Sequence, residues 1–109
     1  MFKSYTINQA KEAIDSCSML LSQIINKGNI LFDSADKNVL DQCISTTFIL
    51  INDLEPEAAS ICESLTKAHI KLQSQRMKND TGFFNTLDIK IDLKESISYL
   101  EEAVKKLNL

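Results

Sequence analysis

The chain has 109 residues, 44% of them hydrophobic and 25% charged, and carries a net charge of −3 at pH 7. That composition excludes a disordered tail and implies one globular domain, residues 1–109, with room for a real core. The acidic balance argues against a general nucleic-acid binder, and no apolar run reaches the roughly 20 residues of a membrane span.

Charge is uneven along the chain. Residues 1–63 hold four lysines and nine acids, whereas residues 64–109 hold eight Lys/Arg and six acids. The three cysteines share no Cys-x-x-Cys spacing, which fits a reducing cytosol better than a disulfide framework. The first six residues lack the apolar core of a signal peptide, so a cytoplasmic protein is expected.

The first helix is predicted over about 7–27. Ser4 or Thr6 caps it, Ala10, Ile14, Cys17, Leu21 and Ile24 recur at spacings of four and three, and Gly28 stops it. Asn29-Ile-Leu-Phe32 follows as an apolar connector, expected to lie as a lid on one end of a bundle. Asp33 or Ser34 caps a second helix ending near Asp53. Leu40, Cys43, Thr47, Leu50 and Leu54 form its stripe, and Val39, Ile44, Phe48 and Ile51 widen it. A helix apolar nearly all round needs several neighbours to cover it, so this one is expected at the centre of the bundle. Thr46 to Ile51 is also dense in β-formers and reads alternatively as a buried strand.

Pro56 suits the first turn of a third helix, where its missing N–H costs nothing. Ala58, Ile61, Cys62, Leu65, Ala68, Leu72 and Met77 trace its inner face, and Asn79-Asp80-Thr81-Gly82 is a turn signal. Phe83-Phe84 opens the least regular stretch. Leu87, Ile89, Ile91 and Leu93 then alternate with Asp88, Lys90 and Asp92, which is the period of a strand. Asp92 with Glu95 resembles a capping box for a last helix over about 93–107. The expected fold is all-α: a four-helix bundle, or a three-helix bundle with an irregular 79–92 arm.

Residues that could carry chemistry are few. His69 is the sole histidine, and Thr66 stands where a bundle metal site built on Glu-x-x-His would want a carboxylate. Cys62 and His69 share a face but lie seven residues apart, about 10 Å along a helix, too far for a nucleophile and its base. Cys17, Cys43 and Cys62 all occupy stripe positions and read as small apolar residues, reduced and slow to react. Glu101 and Glu102 face Lys105 and Lys106 as a solvated face. Lys67, Lys71, Arg76 and Lys78 make a basic stripe without interleaved aromatics. Nothing here calls for a metal, a cofactor or catalysis.

Ala59-Ser60, Leu72, Lys78-Asn79-Asp80-Thr81-Gly82 ahead of a final helix, and Ile51-Asn52-Asp53-Leu54 before them, resemble the flagellin-binding export chaperones of bacterial flagella. The resemblance covers about half of the chain. This sequence lacks the family's tyrosines in the first and third long helices and its C-terminal tryptophan, and its first connection is shorter. The resemblance implies a small cytosolic helical bundle that keeps an export subunit unpolymerised by wrapping that subunit's helical segments around itself.

The function expected from the sequence is non-enzymatic protein binding, as a chaperone or adaptor. The alternative is an immunity or inhibitor protein whose acidic half blocks an enzyme or toxin. Phe83, Phe84, Ile89 and Ile91 lie outside every helical stripe and are the expected contact surface for another protein or a second copy of the chain.

Overall fold

The computed structural model describes residues 1–27, 33–81 and 86–108. It is a four-helix bundle: α1 (Ile7–Ile25), α2 (Ser34–Asp53), α3 (Ala59–Thr81) and α4 (Thr86–Leu107). Consecutive helices pack side by side and α4 returns to pack on α1, closing the ring. The pairings Asp41–Arg76 and Thr47–His69 show that α2 and α3 run antiparallel, and Lys78–Asp92 with Ser64–Glu102 show the same for α3 and α4.

The starts of α1 and α2 follow from side chains that replace missing backbone partners. Thr6 accepts from the Gln9 amide while the Gln9 side chain accepts from the Thr6 amide. Asp33 and Asp36 repeat that reciprocal arrangement at α2. Pro56 lies in a turn before α3, not in its first turn; the Ala58 amide closes that turn by donating to the Glu55 carbonyl at 3.0 Å. Asn79, Asp80 and Thr81 still belong to α3, so the helix outlasts its turn signal. The connector 29–32 lies outside the described residues.

Two strand readings are overturned. Thr46 to Ile51 is helical within α2, because Leu40, Cys43, Thr47 and Leu50 all find one buried face at helical spacing. The segment Leu87–Leu93 is helical too, and α4 starts seven residues before the expected 93. At 3.6 residues per turn, Ile89 and Leu93 fall inside with Ser96 and Leu100, whereas Leu87 and Ile91 fall outside. Asp92 and Glu95 therefore cap nothing; both meet Lys71 across the α3–α4 seam.

The core runs along the bundle axis through Ile14, Leu21, Leu40, Leu65, Leu72 and Leu100, all fully buried. Each such side chain contributes about 1.5–3 kcal/mol by leaving water. Buried Asp36 is satisfied by the Lys27 ammonium at 2.6 Å. Gln75 is the exception, since neither amide atom has a hydrogen-bond partner although the side chain is buried. Met77 is exposed and Cys62 only half-buried, so the inner face of α3 is narrower than expected.

The first residues strap one end. The Lys3 amide donates to the Asp53 carbonyl at 2.8 Å, and the Ser4 and Tyr5 amides converge on the Asp53 carboxylate. Phe2 is thereby buried beside Leu54, with which it forms a single bridge. This strap sets Tyr5 at the end of the α1–α2 seam.

Candidate interaction surface

α2 is one of four equivalent corners rather than a central helix. A corner helix touches two neighbours, and its apolar surface exceeds what they cover. Phe48 remains 59% exposed and Ile49 48% exposed. The apolar width of α2 was legible in the sequence and was the signal for this patch; assigning it wholly to a core position concealed it.

Between α1 and α2 runs an open furrow. Its larger part, about 680 Å³, lies among Ala13, Ser16, Leu20, Asp41, Ser45 and Thr46, with Cys17 on its floor. Ala13 and Thr46 also border a second hollow of about 290 Å³ that reaches Tyr5, Gln9 and Ile49. Tyr5 and Ile49 in turn border a third, with Phe48, Asn52 and Asp53. Each hollow shares wall residues with the next, so the three form a row along the seam. Its cause is side-chain size: Ala13, Ser16, Ser45 and Thr46 are too short to fill the space between two helix axes 8–10 Å apart.

Two carboxylates line this channel, and one of them, Asp41, is paired with Arg76 of α3 at 3.0 Å. Asp41 and Asp53 are the only charged side chains among the residues lining it. Glu12, three residues after Gln9 and four before Ser16, adds an exposed carboxylate on the same side of α1. Backbone amides of the strap, the Ser4 amide first, hold the Asp53 carboxyl below the usual range. It is ionised at neutral pH.

Cys17 and Cys43 meet where α1 and α2 approach. The Cys43 thiol donates across the seam to the Cys17 carbonyl oxygen, at 4.0 Å. The neighbouring Cys43 side chain lowers the Cys17 pKa, with help from the Thr46 side chain against the opposing effect of burial. Cys43 is raised, by the same partner and by burial.

His69 sits at the α2–α3 edge. The Thr47 hydroxyl has two carbonyls to donate to, Cys43 and Ile44, both at 3.0 Å. Its oxygen also lies 2.7 Å from His69 Nδ1, so the hydroxyl and the imidazole hydrogen-bond to each other across the α2–α3 edge. Phe48 lies against the imidazole, with ring centroids 6.1 Å apart. Among the described residues no group of three or more His, Cys, Asp or Glu side chains could hold a metal ion. No described helix is long and apolar enough to cross a membrane.

Of the four residues expected to make the contact surface, the two that are described, Ile89 and Ile91, do not come together. Phe83 and Phe84 lie outside the described residues. Ile89 is 1% exposed and belongs to the core, which corrects its assignment to a free edge; Ile91, two positions on, is 45% exposed beside Leu87. Alternation in sequence becomes opposition on a helix, so Ile89 and Ile91 cannot share a surface. The chain matches no protein-family model, no curated protein and no solved structure in the comparisons made.

Proposed function

We propose that the chain is a non-enzymatic protein-binding module, a chaperone or adaptor, whose α1–α2 furrow receives an amphipathic helix of a partner protein. One observation carries this reading: a row of adjoining open hollows along the α1–α2 seam, with Tyr5, Phe48 and Ile49 exposed at one end. From Leu20 to Tyr5 the channel follows α1 for about 22 Å, which accommodates about four turns of a second helix. Apolar side chains of the guest cover Phe48 and Ile49, and its backbone needs nothing from the furrow. The walls choose the sign of the guest. Asp41 is already engaged by Arg76, so the selection rests on Asp53: a guest bearing Lys or Arg at that end of the furrow is attracted and an acidic one repelled. The resemblance of residues 51–82 to flagellin-binding export chaperones supports a client held through its helical segments.

The test uses a basic Leu/Lys amphipathic peptide of about 18 residues, roughly five turns, and its Leu/Glu counterpart, with binding read by fluorescence anisotropy. The basic peptide is expected to bind, more weakly as salt rises. Phe48→Asp with Ile49→Asp is expected to weaken binding at least about tenfold. Ile91→Asp, on the outer face of α4, leaves it unchanged. Loss of binding in Ile91→Asp alone transfers the contact surface to α4. Equal binding of both peptides, with no effect of the Phe48 and Ile49 changes, rejects the furrow.

A further inference from the structure

We propose that Cys17 and Cys43 are a reversible disulfide pair that pins α1 to α2 at the floor of the furrow. The two residues are 26 apart in sequence and face each other across one seam, with the Cys43 sulfur 4.0 Å from the Cys17 carbonyl oxygen. Two of the three cysteines of the chain, both buried, thus lie across one seam from each other. Both the position and the access of the pair are specific. Cys17 is 5% exposed and lines the furrow, so a water-sized oxidant entering there reaches this residue first, whereas Cys43 is 0% exposed.

That arrangement divides the roles. Cys17, at the furrow, reacts as its thiolate, which the neighbouring Cys43 side chain favours, and the enclosed Cys43 keeps its proton. With hydrogen peroxide as oxidant, the Cys17 thiolate attacks one peroxide oxygen. The O–O bond breaks, hydroxide leaves, and Cys17 becomes a sulfenic acid. The Cys43 sulfur then attacks the Cys17 sulfur, and the sulfenic hydroxyl leaves as water with the Cys43 proton. In sum two thiols and one peroxide give one disulfide and two waters; a dithiol reverses the bond by exchange. The bond joins the two helices beside Ala13 and Thr46, which line the furrow. It also restricts the unfolded chain, so the oxidised form melts at higher temperature. None of this depends on what the furrow binds.

Cys62 serves as the internal control. It lies on α3, half-buried, its sulfur 3.8 Å from the Thr66 hydroxyl. The full chain is treated with hydrogen peroxide under native conditions, denatured, alkylated and weighed intact. The expected product has lost two hydrogens, takes one alkyl group on Cys62, and regains all three sites after dithiothreitol. Its thermal midpoint lies above that of the reduced chain. Cys17→Ser and Cys43→Ser abolish the bond and Cys62→Ser does not. Cys43→Ser, shown to be helical by circular dichroism, accumulates a dimedone-reactive sulfenic acid on Cys17. Three alkylated thiols after peroxide in the wild-type chain, a gain of oxygen in place of the loss of hydrogen, or a cross-link between two chains overturns the proposal without recourse to any variant.

Discussion

The α3–α4 and α1–α2 seams are built from helices of similar length and end differently. Across α3–α4 long side chains reach over and meet: Lys71 with Asp92 and Glu95, Lys78 with Asp92, and Lys106 with Ser64 and the Ser60 carbonyl. Beneath them Ala68 and Ala103 are fully buried, so the backbones approach and the space is filled. Across α1–α2 the facing residues are mostly neutral, and among the described residues the ion pair Lys27–Asp36 stands at the end of the seam. The lesson concerns size and position together. Small residues under a lid of long ones close a seam, and small residues at its rim open it.

Four measurements break or sharpen that comparison. The largest effect is expected from Leu72→Ala and Leu21→Ala, which empty fully buried sites and should cost about 2–5 kcal/mol in denaturant unfolding. Leu50→Ala should fall at the lower end of that range, because Leu50 also borders the channel and water can enter the space it leaves. A loss as large as that of Leu72 would mean the furrow is closed in solution.

Next in size is a matched pair of insertions. Ala68→Leu forces three carbons into a filled seam and should cost about 1–3 kcal/mol. Ala13→Leu points the same three carbons into the channel and should change stability by no more than about 0.5 kcal/mol. Similar penalties for both would remove the distinction between the seams.

The third asks whether ions or packing close α3–α4. The Lys71 ammonium, raised in pKa chiefly by its bond to Glu95, is still in contact with solvent. Lys71→Met should therefore cost under about 1 kcal/mol, since exposed pairs are screened and their apolar stems stay packed. A larger loss in low salt that vanishes in high salt would assign the closure to charge.

The smallest expected effect is on pH. Strap amides depress the folded Asp53 pKa below its unfolded value of about 3.9. Its contribution is complete above that value and disappears as pH falls through the lower, folded one. Urea midpoints followed from about pH 5 to about pH 2 should drop, and Asp53→Asn should flatten part of that drop. An unchanged acid limb in Asp53→Asn would mean that the strap does not hold this end of the channel.

Some of the molecule could be read directly from residue order. Helix 1 was legible because Ala10, Ile14, Cys17, Leu21 and Ile24 repeat at one period and Thr6 with Gln9 satisfies the backbone locally. The start of α2 at Asp33 was legible for the same reason. The period of Leu87 to Leu93 was not, since four alternating residues fit either a strand or two faces of a helix, and only Ser96, Leu100 and Ala103 farther along decide between them.

The sequence by itself determined the all-α class, the helix starts with local caps and the apolar stripes, because these depend on interactions within one or two turns. Tertiary structure decided which stripe residues stay wet. Phe48 and Ile49 are as apolar as Leu50, yet a corner position between two neighbours leaves them outside. Tertiary structure also brought Cys17 to Cys43 and Tyr5 to Ile49, pairs separated by a connection whose length and path no periodicity contains. The furrow exists only between helices, in volume that no single stripe encloses, and so it was absent from any reading of the residues in order.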